Sequence, residues 1–187
     1  MSHLKKIGLM MMFFGFHHAW LHAATYTLDP SHTSIGFSVK HLMITDVSGQ
    51  FKTYEAKVEL DEKNNELKGV VANIQVSSID TENAKRDGHL KSPDFFHVTK
   101  FPKAKLNIKS SKILEKLESG KYKMLINADM TIKDKTNSIS FEAIVDLDSN
   151  IKTAQGKLSF DRSAFGVEYR SEMHLDNPNS FWNKVQT

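Results

Sequence analysis

The chain has 187 residues, 25 Lys and Arg against 22 Asp and Glu, and no Cys. That length suits one domain with a core of its own. The scattered, nearly balanced charge excludes a nucleic-acid-binding surface, and the lack of Cys excludes a disulfide scaffold or an N-terminal diacylglyceryl lipoprotein.

The first 24 residues differ from the rest. Lys5 and Lys6 precede the apolar run Ile7 to Phe16, and the segment ends at the small pair Ala23-Ala24. A charged start, a short apolar stretch and a small-residue exit predict a secretory signal peptide cleaved after Ala24. The run is too short to cross a membrane, so no stable membrane insertion is expected after cleavage. Residues 25–187 then form one exported domain, in the periplasm or secreted, with 23 basic residues against 22 acidic ones.

From Thr25 onward the dominant signal is alternation with period two, the mark of half-buried strands. Ile35, Phe37 and Val39 share a face, as do Tyr54, Ala56, Val58 and Leu60 up to a turn at Asp61 to Asn65. Val70, Ala72, Ile74 and Val76 form the next stripe, and a short helix from Glu82 to Lys91 follows, stopped by Pro93. Ala104, Leu106 and Ile108 alternate with lysines and Asn107. Tyr122, Met124, Ile126, Ala128, Met130 and Ile132 keep one parity up to a turn at Asp134 to Asn137. Ile139, Phe141, Ala143, Val145 and Leu147 keep it again, and Ala154, Gly156, Leu158 and Phe160 continue after Asp148-Ser149-Asn150.

Strands joined by short turns predict an all-β antiparallel meander of about eight strands with one short helix. Such a meander closes as a sandwich or a barrel. Strands of about nine to thirteen residues, longer than the usual five or six, favour a barrel. A barrel of eight strands is filled by side chains or holds one small ligand, and periodicity leaves that choice open.

Four phrases carry a resemblance. Asp29 to His41 (DPSHTSIGFSVKH), Ser78 to Phe96 (SIDTENAKRDGHLKSPDFF), Asp129 to Thr136 (DMTIKDKT) and Asp161 to Gly166 (DRSAFG) together resemble the YceI family. The resemblance implies a lipocalin-like barrel, exported to the bacterial periplasm, that binds polyisoprenoids or similar long-chain amphiphiles without catalysis. Two departures stand out. Lys133-Asp134-Lys135-Thr136 replaces a Gly-containing turn, putting Asp at the position that favours φ > 0. A short helix is expected near Phe181-Trp182, and the family's closing strand is expected to be missing after it. An open edge of that kind invites pairing with a second copy, a homodimer.

Under the resemblance, the residues expected to line the ligand are Ile35, Phe37 and Val39, then Ile74, Leu106 and Ile108, then Met124, Ile126, Met130, Phe141 and Val145. The same residues would fill a solid core. Phe95 and Phe96, with Phe101 nearby, are expected either to gate one end or to pack there as a cap. Arg86 is a candidate for a headgroup contact, against local ion pairing that pins the helix. No cofactor or metal is expected. His32, His41, His89, His97 and His174 show no ligand spacing, and no nucleophile elbow or phosphate loop is present. The expected partner is a long-chain isoprenoid or fatty amphiphile, sequestered or carried. A hydrolase or isomerase acting on such a lipid, and a secreted domain with a solid core, are the alternatives.

Overall fold

A computed structural model describes residues 24–41, 45–169 and 184–186. Residues 1–23 of the expected signal peptide, His174 and the helix expected near Phe181-Trp182 lie outside the described residues. The strands in chain order are β1 (Ala24–Thr27), β2 (Ile35–His41), β3 (Thr45–Phe51), β4 (Tyr54–Asp61), β5 (Glu66–Gln75) and β6 (Ile79–Asp80). Helix α1 (Ala84–Lys91) precedes β7 (Lys103–Lys116), β8 (Tyr122–Ile132), β9 (Lys135–Asp146), β10 (Thr153–Gly156), β11 (Ser159–Asp161) and β12 (Lys184–Gln186).

The strands form a seven-stranded sheet in the order β1-β4-β5-β7-β8-β9-β10 and a five-stranded sheet in the order β11-β12-β2-β3-β6. The sheets share strands that bend from one into the other. β3 runs on into β4, and β5 into β6, and the two bent strands pair along both halves. At their corner Gln75 N donates to Thr53 O at 2.9 Å and Lys52 N to Ser78 O at 3.2 Å. The Ser78 hydroxyl accepts from Thr53 N at 3.0 Å and donates to Gln75 O at 2.6 Å. A side chain thus satisfies backbone groups where the ladder breaks. Counting β1–β2, β3–β4, β5–β6 and β10–β11 as single bent strands gives the eight-strand meander that the periodicity predicts.

Closure differs from the sequence expectation. β12, three residues long, pairs with both β11 and β2 and supplies a closing strand where none was expected. It joins one half of the curl only. β1 and β10 end the seven-stranded sheet, so the fold is a strongly curled half-barrel closed at one end of its seam.

Other boundaries shift for local reasons. Glu82 adopts φ 61, outside the helical region, so α1 starts later, with Asn83 as its cap accepting from Arg86 N at 3.0 Å. The β8–β9 turn is Lys133-Asp134, and the left-handed residue is Lys133 (φ 56), not Asp134. Lys133 Nζ donates to Gly166 O at 2.7 Å, an anchor that a glycine would lack. β7 runs well past Ile108, because irregularities near Ser110 and Glu115 break the alternation on which its sequence signal depends.

Several carboxylates are held below their ordinary range by donors. Asp80 is lowered first by Lys52 and then by Glu82 N. Asp129 is lowered by Lys109 at 3.0 Å and the Ser138 hydroxyl at 2.9 Å, and Asp146 by the Ser149 side chain and backbone. A depressed folded-state value stabilises the fold above the unfolded-state value and ceases to do so as pH falls through the folded one. The melting temperature is therefore expected to stay level down to about pH 5 and to decline below about pH 4. A scan in low-salt buffers checks this; a melting temperature that rises below pH 4 would contradict it.

Candidate ligand-binding interior

The concave face divides into two layers of different character. At the end formed by the β4–β5, β7–β8 and β9–β10 turns, Leu60, Leu67, Tyr122, Met124, Ile126, Ala143, Val145 and Leu147 form a buried cluster. Met124 and Ile126 are each only 1% exposed, so this layer is packed solid. Polar bonds fasten its rim. Tyr122 OH accepts from Asn65 at 3.2 Å and Lys116 at 3.1 Å and donates to Asp148 at 3.2 Å.

The opposite end is built from α1, the loop to β7, the β8–β9 turn and the 3-10 turn Arg162–Phe165. Its buried residues, Val76, Ala104, Met130, Ile132, Leu158, Phe165 and Val167, form a second cluster. Around it Phe51, Ile74, Leu106, Ile139, Phe141 and Phe160 are only partly buried. Ile35, Phe37 and Val39 on β2 are partly buried as well, with the Phe37 ring 5.6 Å from that of Phe51. Part of the apolar surface of these side chains is thus still accessible.

Small residues make that accessibility possible. Ala56 pairs with Ala72, and Ala72 with Leu106. Both alanines are only partly buried, so alanines on two neighbouring strands leave space that larger side chains would fill. Alternation marks these positions as inward, but it gives no reason to single out the smallest residues among them.

The eleven residues expected to line a ligand therefore separate. Met124, Ile126 and Val145 belong to the solid cluster, with Ile108 at its margin. Ile74, Leu106 and Met130 lie with the accessible half, and Phe141 packs against both clusters. Ile35, Phe37 and Val39 lie on β2 in the five-stranded sheet.

The lid over this half is held by polar bonds. Thr81, buried, donates from N and Oγ1 to Asp87 Oδ1 at 3.0 and 2.5 Å. Arg86 donates from Nε to Thr81 Oγ1 at 2.8 Å and from its guanidinium to Thr81 O at 2.7 Å, so it braces the start of α1. The backbone after α1 folds back on the helix, with Phe96 N bonded to Leu90 O and Val98 N to Lys91 O, both at 3.1 Å. Phe95 and Phe96 thereby pack onto the second cluster. Phe96 meets Phe51 edge-on at 6.4 Å, while Phe95 lies 5.0 Å from His89 and 4.9 Å from Tyr169. Arg162 donates to Val167 O at 2.5 Å and Tyr169 O at 3.0 Å and sits over the Phe95 ring. Burial pulls its guanidinium below the ordinary value, opposed by Asp161.

The histidines take separate places. His32 bonds Asp29 at 2.7 Å, His89 bonds Asp94 at 3.0 Å, and His97 lies beside Phe101. Among the described residues no three His, Asp or Glu converge as a metal site would require. A cleft of about 370 Å³ on β8–β10 is lined by residues that include Lys123 and Glu142, paired at 2.8 Å. An apolar ligand there would have to desolvate that pair.

A sequence model of the YceI-like domain matches residues 26–186. The chain belongs to the YceI family. A UPF0312 protein of Staphylococcus aureus (strain N315) is 38% identical over 117 residues, 63% of this chain and 63% of its own length. Another from Vibrio campbellii is 34% identical over 123 residues, 65% of this chain and 62% of its own. The aligned stretch thus spans less than two thirds of these relatives. Among solved structures, a Campylobacter jejuni YceI protein superposes with a TM-score of 0.64 at 27% identity, over 87% of this chain and 92% of its own. A polyisoprenoid binding domain from Saccharophagus degradans shares the fold, with a TM-score of 0.64 at 16% identity over 88% of this chain and 94% of its own. The YceI motifs fall where the fold turns corners. Asp29 caps the turn before β2, Asp87 and Arg86 hold the lid, and Asp161 caps the 3-10 turn through Ser163. Among the described residues no helix is long and apolar enough to cross a membrane.

Proposed function

We propose that this YceI protein is exported to the periplasm and binds the hydrocarbon tail of a long-chain isoprenoid or fatty amphiphile, which it sequesters or carries without chemical change. The observation that carries this reading is the accessible apolar half of the concave face, where Phe51, Ile74, Leu106 and Phe141 are only partly buried beside Ala56 and Ala72. The fold shared with a polyisoprenoid binding domain supports it.

Energetics favour a long tail. Each buried methylene contributes about 0.8 kcal/mol, whereas association costs roughly 4–15 kcal/mol, so on the order of ten or more buried carbons are needed. A sugar or short acid gains too little from such a surface. Phe95 and Phe96 close one side of this half and act as its gate.

Substitution at Ala72 tests the reading. Its Cβ faces Ala56 across the strand pair, in the half with accessible surface, so Ala72→Phe fills the proposed tail site. Binding of geranylgeraniol by the purified protein is expected to weaken by about tenfold or more, which corresponds to about 1.4 kcal/mol, with the melting temperature little changed. Unchanged affinity in a folded variant would place the tail elsewhere and sink the reading.

A further inference from the structure

We infer that Phe141 is the floor of the tail site and sets the longest tail the protein can take up; this rests on the binding role proposed above. Phe141 is the side chain that, among the described residues, packs against both apolar clusters. From β9 it pairs directly with Ile126 of β8, which is fully enclosed, while the next inward pair toward the lid is Ala128 with Ile139. The ring, in contact with both clusters, therefore lies at the boundary between the packed layer and the more accessible one.

β10 explains how the ring is held there. Gly156 pairs with Ala143, and a Cβ built on Gly156 would come within 3.1 Å of Phe141 Cε2 and 3.3 Å of Cδ2. One edge of the ring lies close to the bare backbone of β10, and no side chain at Gly156 pushes it toward the lid. Behind it lie the small Ala143 and Gly156 and, across on β8, the packed Met124 and Ile126, so removing the ring opens the space of the ring itself and no more. One inward step along a strand, two residues, adds about 5 Å of depth along a tilted barrel axis, close to the length of one isoprene unit.

Gly156→Ala and Phe141→Ala should thus move the floor in opposite directions. The added methyl of Gly156→Ala tips the ring toward the lid and shortens the site. The truncation of Phe141→Ala deepens it.

The test is a ladder of all-trans prenols, from farnesol through geranylgeraniol to solanesol, titrated into the full chain and both variants. In the unaltered protein, affinity is expected to rise by about tenfold or more per isoprene unit and then level off when the tail reaches the ring. Phe141→Ala is expected to move that levelling-off out by one unit, and Gly156→Ala to move it inward. If Phe141→Ala does not fold, Phe141→Leu replaces it, with a smaller outward shift expected. Levelling-off at the same prenol in all folded variants would overturn the floor while leaving the binding role intact. Failure of the unaltered protein to bind any prenol or any long-chain fatty acid of matching length would overturn both.

Discussion

Replacing Phe165 by Ala is expected to cost about 3–5 kcal/mol of stability, a fall of roughly 10 °C or more in melting temperature for a domain of this size. Phe165 is 1% exposed and among the largest fully enclosed side chains. It packs in the second cluster with Leu158, Val167 and Ile132, and its ring meets Phe160 edge-on at 5.2 Å. The segment around it cannot collapse easily into the void. Its backbone is tied by Lys133 to Gly166 O and by Arg162 to Val167 O. A cavity held open in this way keeps both the transfer cost and the lost contacts. Phe165→Leu, which retains most of the volume, is expected to lose much less. Thermal or urea unfolding of the two variants checks the claim; equal losses would show that the site relaxes around either side chain.

The second large effect concerns Gly49 on β3. Phe37 on β2 pairs directly with Gly49, and its ring lies over the glycine. A Cβ there would meet Phe37 Cζ at 2.5 Å and Thr81 Cγ2 at 2.7 Å, well inside contact distance. The Phe37 ring can rotate away, but Thr81 is buried and bound to both Asp87 and Arg86. Gly49→Ala must therefore expel the Phe37 ring or loosen the lid. Overpacking of this kind costs about 1–3 kcal/mol. Phe37 also lies against Phe51, so tail affinity is expected to drop together with stability. Calorimetry and prenol titration on one preparation separate the two effects. Loss of stability with full affinity would remove Phe37 from the tail site.

How much of this was legible in the sequence depends on what each element uses to form. β8 alternates without interruption from Tyr122 to Ile132, and its burial alternates in step. An uninterrupted period of two on a half-buried strand leaves little to mistake. β3 (TDVSGQF) has few apolar residues and a glycine, because its inward surface is supplied partly by the Phe37 ring from its neighbour. Its formation depends on a partner, which local pattern does not record. β7 is half hidden for a different reason: its register shifts invert the parity on which a reader relies. β12 is three residues long and defined by its two neighbours.

The site shows the same division. Alternation marked the inward residues, among them Ile74, Leu106, Met130 and Phe141 around the second cluster. It also grouped Met124, Ile126 and Val145 with them, since depth along the barrel leaves no trace in a period of two. The difference between the packed and accessible layers arises from what faces each residue across the interior. Ala56 and Ala72 contribute to that difference and are weak signals taken singly. Arg86 bonds Thr81, a partner that spacing along the chain does not reveal. The phrases that signal the YceI family describe caps and corners more than the interior surface. They mark the scaffold and carry little about what the interior holds.

The most direct test is nuclear Overhauser contact between a bound prenol and methyl-labelled full-length protein. The tail protons are expected to contact the methyls of Ile74, Leu106 and Ile139 and none on Leu60 or Leu67. Contacts confined to the exposed Val71 and Leu114, or none to any interior methyl, would contradict binding inside the barrel.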